Sequence, residues 1–445
     1  MLAQRVVPEL AALWLAELCV LFLVLQALPA VGAWDGVGPI ATSAESMNRA
    51  AIIASIMGFT SLSIGLYRAD TCTNGRRLLS AAILASVVGG LIIYITAPLL
   101  TGGMRIAPSQ LIVIPLIWLI FLLFSRVTLG TLLRRRLFGR RVMVVGDGAR
   151  AHCLATAIQD HRGGQFDVVE GGPDAATLVP LALRLQGIWA VVVAEDSPAR
   201  LTVRATQACQ RAGIRVYDDG GFWEQQLGRI DLTHADPSWF AQPDAGVGTQ
   251  IAASVRRLSD IGISLCLLLV TLPVMLLTAL AIRLDTKGPV FYRQTRVGLQ
   301  GRPFTLLKFR SMRIDAEAGG QPRWASQNDP RVTRVGGFIR LSRIDELPQL
   351  FNVLRGEMGF IGPRPERPEF VGELTSQIPL YPHRACVKPG ITGWAQVCYP
   401  YGASVEDARQ KLSYDLYYIK YRSLLLDLLI LLATVRVILF REGSR

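Results

Sequence analysis

Residues 260–285 read DIGISLCLLLVTLPVMLLTALAIRLD, an apolar run with Pro273 near its middle, Arg256 and Arg257 before it, and Arg283 and Lys287 near its end. A helix needs about 20 apolar residues to cross the hydrocarbon of a bilayer, so the run is long enough to span. Proline deletes one backbone hydrogen bond and kinks a helix. Basic residues on both flanks prefer the same, cytoplasmic side. A segment that enters, turns at Pro273 and returns satisfies both facts. Residues 261–284 are therefore expected to form a re-entrant helix, with the Thr271 hydroxyl as a local partner for backbone groups the proline frees. The alternative is an ordinary kinked spanning helix, which would carry residues 285–445 to the opposite face.

Four more apolar segments precede it, at about 10–33, 49–67, 78–100 and 110–129. The first is too long for a signal peptide and is followed by three others, so it reads as a retained helix. Arg5, Arg68, Arg76, Arg77, Arg134, Arg135, Arg136, Arg140 and Arg141 fall on one side of these helices, against Arg49 and Arg105 on the other. That asymmetry puts the N-terminus and everything after Arg134 in the cytoplasm. The chain has 445 residues, is 51% hydrophobic and carries a formal net charge of +13. Basic residues beside apolar runs favour an anionic membrane face or phosphate-bearing ligands. No basic helix with interleaved aromatics appears, so nucleic acid is not an expected partner. The seven cysteines show no CxxC and no metal-ligand spacing, which argues against a disulfide framework.

Between the apolar regions lies an α/β pattern. RVMVVGDGARAHCLATAIQD is a strand, a glycine turn and a helix, and IWAVVVAEDSPARLTVRATQACQRAGIRVYDD repeats the alternation. A parallel, Rossmann-like sheet is expected, although Gly146, Gly148 and Ala151 make only a degenerate dinucleotide fingerprint. The fold class is thus a membrane protein, α plus α/β. Residues 1–133 form four transmembrane helices, 134–236 a Rossmann-like domain and 237–255 a linker. Residues 256–445 form a monotopic C-terminal domain containing the re-entrant helix.

LSRIDELPQLFNVLRGEMGFIGPRPERPEF, residues 341–370, carries the chemistry. Leu347, Leu350, Phe351 and Leu354 mark a buried helix face, and Gly356 fits its C-terminal cap. Pro348 suits a first turn, so the helix is expected to begin near Asp345. Asp345 and Glu346 would then sit at its positive end. An ionised carboxylate there can attack phosphorus, and its neighbour can hold Mg²⁺. The plainer alternative is that Asp345 is an N-cap. Lys308 and Arg310 in FTLLKFRSMR, and Arg364 in GPRPERP, are candidate phosphate ligands. Singly, each also reads as a solvated surface or headgroup contact. Tyr414, Tyr417, Tyr418 and Tyr421 precede a C-terminal apolar run interrupted by Asp427 and Arg436. This tail suits helices lying in the membrane interface, with Asp427 a candidate for the metal site.

Together these pieces resemble the bacterial polyprenyl-phosphate hexose-1-phosphate transferases, the family of undecaprenyl-phosphate glucose phosphotransferase. The resemblance covers about Arg256 to Phe440 and rests on GPVFYRQTRVG, FTLLKFRSM, RIDELPQLFNVLRGEMGFIGPRPE, KPGITGWAQV and YDLYYIKYRSLLLD. The four helices and the Rossmann-like domain look like the large form of the family. YPYGASVEDARQKLSYDLYYIK is similar to the subgroup linked to exosortase-associated exopolysaccharide systems. Cys398 departs from the Asn that relatives often carry after GWAQV. The resemblance implies that Asp345 attacks the β-phosphorus of a UDP-sugar, UMP leaves, and undecaprenyl phosphate then takes the sugar phosphate from Asp345. It implies Mg²⁺ on Glu346 with help from Asp427, phosphate contacts from Lys308, Arg310 and Arg364, and Asp415 as a further substrate-binding residue. It also implies a place in the bacterial inner membrane, with membrane lipids as partners and the active domain on the cytoplasmic face. A homo-oligomer is compatible with this reading. A membrane-anchored nucleotide sensor, or a scaffold of a polysaccharide export system, is the alternative from another functional class.

Overall fold

The computed structural model describes residues 8–27, 44–67, 75–100, 108–134, 140–146, 148–159, 166–171, 183–184, 186–194, 203–233, 235, 247–314, 329–399, 402 and 404–439. The chain divides into two compact units, Met1–Leu227 and Gly228–Arg445.

The first unit opens with four apolar helices: α1 (Pro8–Ala27), α2 (Ala44–Ile64), α3 (Gly75–Leu100) and α4 (Pro108–Arg134). They hold 20, 21, 26 and 27 residues, so each is about 30–40 Å long. Among the described residues Met47–Ile64 and Leu78–Thr96 are long and apolar enough to cross a membrane, and Leu13–Ala27 and Ile112–Thr128 are shorter apolar stretches. Each packs against the next in sequence. A feature the sequence reading did not flag joins three of these segments. Arg126 grips Glu17 with both terminal nitrogens, at 2.7 and 2.9 Å, and Tyr67 donates to the same carboxylate. Both charged side chains are fully buried, where pairing alone makes a charge tolerable. Arg5, Arg68, Arg105, Arg135 and Arg136, on which the orientation argument leans, lie outside the described residues.

A parallel sheet follows, in the order β2-β1-β3-β4, from β1 (Arg140–Val145), β2 (Phe166–Gly171), β3 (Ile188–Val193) and β4 (Arg215–Asp218). Central β1 is buried on both faces, as its β-branched run requires. Val142 and Val144 pack with Leu154 of α5 (Ala149–Gln159), and Met143 and Val145 with Cys209 of α6 (Val203–Arg211). Gly146 follows β1 at φ 137°, the backbone turn that the glycine motif anticipates.

The second unit begins earlier than the composition shift at 237 led us to expect. Trp394 donates its indole N–H to the Gly228 carbonyl at 3.0 Å, and the Ile230 amide bonds Ser413 O at 3.0 Å. These contacts tie the segment from Gly228 to the C-terminal core. Of the expected linker, residues 237–246 lie outside the described residues, and 247–255 are the first turns of a helix.

That helix, α7 (Val247–Asp285), has 39 residues and runs unbroken through Pro273. The Thr271 hydroxyl bonds the Leu267 carbonyl one turn back, at 2.6 Å. Its middle shows apolar side chains to the outside, with Leu269 77% and Leu277 68% exposed. Both ends are bound by the same unit. Near the start, Arg257 donates to the carbonyls of Val353 and Leu354 at 2.6 and 2.8 Å, and Asp260 accepts from the Phe360 amide at 2.9 Å. At the end, Asp285 accepts from the Val335 amide at 3.3 Å, and Arg310 caps the Thr286 and Lys287 carbonyls at 2.7 and 2.9 Å.

Next come an antiparallel ribbon, β5 (Phe291–Val297) with β6 (Pro303–Phe309), and the helices α8 (Arg334–Leu341) and α9 (Gln349–Arg355). A parallel pair of short strands, β7 (Gly359–Ile361) and β8 (Gly390–Thr392), brackets α10 (Pro368–Gln377). Three helices close the unit: α11 (Trp394–Cys398), α12 (Val405–Lys420) and α13 (Leu424–Leu439). Tyr414, Tyr417 and Tyr418 do not line a membrane interface. They are buried with Trp394, Leu412 and Ile430 in the core of the unit, because Ser404 and Asp407 start α12 with a capping box that turns this face inward. Apolar exposure is left to α13, at Leu424, Leu428 and Ile438.

Candidate active site

Asp345 and Glu346 lie in a 3₁₀ turn, Ile344–Glu346, and α9 starts only at Gln349. The expected helix start near Asp345 is corrected by Arg343, whose left-handed backbone (φ 60°) breaks the chain out of α8 and tightens the following turn. Such a conformation costs a non-glycine residue about 1 kcal/mol and persists only where surroundings impose it. Here the flanking residues do so. Ile344 and Leu347 pack into a cluster formed by Met275 and Ile282 of α7, Phe309 of β6 and Ile339 of α8. The carboxylate pair is thus braced directly against the long apolar helix. Further on, Gly356 caps α9 with a left-handed backbone, as its sequence position requires.

Glu346 is the anchored member of the pair. Its Oε1 meets Lys308 Nζ at 3.1 Å, an Arg364 terminal nitrogen at 2.6 Å and Arg343 at 4.0 Å. Burial opposes its ionisation, yet Arg364, Lys308 and Arg343 keep it well below the usual carboxylate range. Burial in turn pulls Lys308 below the ordinary lysine value, against the attraction of Glu346. Lys308 is positioned through its strand. Asn352 of α9, fully buried, accepts from the Leu307 amide at 3.0 Å and donates to the Thr305 carbonyl at 2.7 Å.

Asp345 differs. It is 8% exposed, and among the described residues no hydrogen bond or ion pair reaches its carboxylate. Burial first, and then the charge of Glu346, push its carboxyl up to about 6. The carboxylate sits in a turn and not at a helix start, and at about 6 it is still mostly ionised at neutral pH.

Arg364 sits in a loop whose every carbonyl is tied. Pro363 O accepts from the Gly390 amide at 2.9 Å, Arg364 O from Arg384 at 3.1 Å, Pro365 O from Arg296 at 3.2 Å and Glu366 O from the Val297 amide at 2.9 Å. Gly362 opens the loop where any Cβ would overlap the Lys388 carbonyl and the Gly390 amide. The two prolines and these four bonds make the guanidinium a fixed fork.

Three sequence-stated candidates have other work. Asp415 is 2% exposed and accepts from Arg384 Nε at 2.8 Å. Burial raises its carboxyl against the pull of Arg384. It is closed to substrate and positions the Arg364 loop through Arg384. Arg310 is 5% exposed, its terminal nitrogens spent on carbonyls at the end of α7. Asp427 is taken by Arg256 Nε and the Tyr418 hydroxyl, each at 2.8 Å. Among the described residues no group of three or more His, Cys, Asp or Glu side chains gathers as a metal site. For Mg²⁺ the remaining donors fit. All three cations turn to Glu346 Oε1, and among the described residues no hydrogen bond or ion pair takes up the neighbouring Asp345 carboxylate, which stands close enough to feel the charge of Glu346. Mg²⁺ commonly takes one or two carboxylates and completes its octahedron with water and substrate phosphates.

The sequence reading missed Arg343, Arg296 and Arg384. Arg343 reaches Glu346 only three positions on, but through a left-handed backbone that no pattern announces; Arg296 and Arg384 bond Pro365 O, Asp415 and Arg364 O, which lie 20 to 69 positions away.

Residues 251–441 match the family model described as bacterial sugar transferase. The chain is 44% identical over 251 residues to the UDP-N-acetylgalactosamine-undecaprenyl-phosphate N-acetylgalactosaminephosphotransferase of Aeromonas hydrophila, covering 56% of this chain and 58% of that relative. It is 34% identical over 357 residues to the undecaprenyl-phosphate glucose phosphotransferase of Komagataeibacter xylinus, covering 74% and 66%. It is 44% identical over 198 residues to the UDP-glucose:undecaprenyl-phosphate glucose-1-phosphate transferase of Caulobacter vibrioides, covering 44% and 74%. The chain thus spans less than two thirds of the length of the first two relatives.

Proposed function

The chain belongs to the bacterial sugar transferase family, and from that premise we propose that it transfers a sugar 1-phosphate from a UDP-sugar to undecaprenyl phosphate. One observation carries the reading: a buried carboxylate, Asp345, to which no hydrogen bond or ion pair runs among the described residues, adjoins in sequence a carboxylate, Glu346, fixed by Lys308 and Arg364. An unpartnered oxygen is poised to attack, and two cations at its side are placed to balance phosphate charge.

In the first step an Asp345 oxygen attacks the β-phosphorus. The bond from that phosphorus to the bridging oxygen breaks, and the bridging oxygen leaves with its electrons as part of UMP. In the second step an oxygen of undecaprenyl phosphate attacks the same phosphorus. The bond to Asp345 breaks, the carboxylate is regenerated and the lipid carries a diphosphate-linked sugar. Lys308 and Arg364 orient and neutralise the phosphates, and burial excludes water from the acyl phosphate. Bound Mg²⁺ would neutralise further charge on the diphosphate, held by Glu346 and Asp345.

The same reading places the protein in the inner membrane, with α1–α4 crossing and α7 re-entrant, and its site on the cytoplasmic face. Support for re-entrance comes from the two ends of α7. Arg257 and Asp260 near its start, and Asp285, Thr286 and Lys287 at its end, are all bound by the same unit, whereas the flanks of a spanning segment are held apart by the ~30 Å of the hydrocarbon. The reading makes the chain the first membrane step of a glycan such as an exopolysaccharide. Its test is UMP release and lipid-linked product from purified full chain, with undecaprenyl phosphate and a panel of UDP-sugars. Absence of both products across the panel would sink it.

A further inference from the structure

A cavity of about 330 Å³ is bordered by Arg364, whose guanidinium also meets Glu346 at 2.6 Å. Val297, Val371, Pro382, Val387 and Pro389 give it apolar walls, and Gln300, Arg364, Glu366, Tyr381 and Arg384 line it with polar groups. A concave, mostly apolar pocket with a few fixed polar groups is the usual form of a small-ligand site. Resting on the transferase reading above, we propose that this cavity takes the nucleoside of the UDP-sugar.

The β5–β6 ribbon decides between the two substrates. Its Phe291–Phe309 end is stapled by Arg310 to the end of the apolar helix α7. Its other end, the Val297–Pro303 pair and the turn at Leu299–Gly301, borders the cavity. Six residue steps separate the two ends, about 20 Å along a strand. A lipid chain following α7 therefore arrives at the opposite end of the ribbon from the cavity. The water-soluble donor has a flat base and a ribose to place, and the cavity's proline and valine walls suit them. Arg364 touches both the cavity and Glu346, so a donor with its base in the cavity brings its diphosphate to that guanidinium. In-line attack by Asp345 requires the leaving UMP to point away from that carboxylate, toward the cavity. Gln300 has a left-handed backbone (φ 55°) that side-chain-bearing residues rarely adopt. Its amide offers a donor and an acceptor, which match O4 and N3–H of uracil.

The test uses the full chain in nanodiscs, UMP and CMP as probes, and ligand-observed NMR or calorimetry to follow binding. Val371→Trp fills the cavity and should weaken UMP about tenfold or more, because a filled pocket excludes its ligand. KM for the UDP-sugar should rise in parallel, and KM for undecaprenyl phosphate should stay within about twofold. Gln300→Ala, at an exposed turn position, should weaken UMP and CMP alike by about threefold to tenfold, because a turned amide also meets the edge of cytosine. Should Val371→Trp fail to fold, Gln300→Ala carries the test alone. UMP affinity unchanged in both variants, or a KM shift confined to undecaprenyl phosphate, overturns the assignment. UMP bound through the cavity by a chain that transfers nothing to lipid would sustain it while removing the transferase reading. Transfer that proceeds with UMP affinity indifferent to both substitutions would do the reverse.

Discussion

A carboxylate that is buried and receives no hydrogen bond is stabilised in its neutral form, and Asp345 is such a group. Attack on phosphorus needs the ionised form. The rate of UMP release should therefore fall as pH drops through about 6, and a profile flat from about pH 5 to 8 would contradict the assignment. Asp345→Asn should cost several orders of magnitude in that rate, since the nucleophile is gone. The same variant should be more stable. A raised carboxyl value costs the folded state most above the folded value and nothing below the unfolded one. Measured in EDTA, the gain should be about 1–3 kcal/mol at pH 7–8 and vanish near pH 4. Equal melting temperatures of parent and variant at pH 8 would count against the burial argument. Asp415→Asn leaves Arg384 facing a neutral amide. It should cost about 3 kcal/mol of stability and lower kcat more than it raises KM, because the Arg364 loop loses its tether. A normal kcat would show that the tether is dispensable. Asp345, Glu346, Lys308 and Arg364, which motif and chemistry single out in short stretches, are brought together by the fold. Asp415, Arg310 and Asp427 are held by other partners, and a charge in a motif does not reveal whether a buried partner already engages it.

At the scale of the element, α7 is the decisive piece. Its apolar run and its proline were plain in the sequence. Its contacts were not, since Val353, Leu354, Phe360 and Val335 lie about 50 to 100 positions away. The start of α9 was misplaced for a local reason: the stripe from Leu347 to Leu354 fits an α-helix and gives no sign of the preceding 3₁₀ turn. Pro273→Ala restores a backbone hydrogen bond and should favour a straight helix. Single cysteines near Arg256 and Lys287, in a cysteine-free background, report the outcome. In the parent neither should react with an impermeant thiol reagent added outside intact cells. In Pro273→Ala the site near Lys287 should label in part of the population. Labelling there in the parent would establish a spanning segment and separate the site from cytoplasmic UDP-sugars.

The whole molecule splits at Leu227–Gly228, and every residue of the candidate site lies in the second unit. That unit has its own aromatic core and its own apolar helix. A fragment from Gly228 to Arg445 should fold, bind membranes and release UMP at a rate within about tenfold of the full chain. An inactive but folded fragment would show that the first unit supplies part of the catalytic function. The parallel sheet of the first unit was legible from its strand-helix alternation; its strand order was not. The buried Glu17–Arg126 pair was not, because nothing local links positions that distant. One contact has a reach beyond the protein. Ile344 and Leu347 seat the reactive turn on the face of α7 that carries Met275 and Ile282. Whatever tilts or lifts that helix must press on Asp345. A lipid layer thinner or thicker than α7 prefers should do so, at a fraction of a kcal/mol per Å of mismatch. In vesicles of graded acyl length, turnover should peak at one thickness and decline on either side, making the enzyme a gauge of the layer it works in.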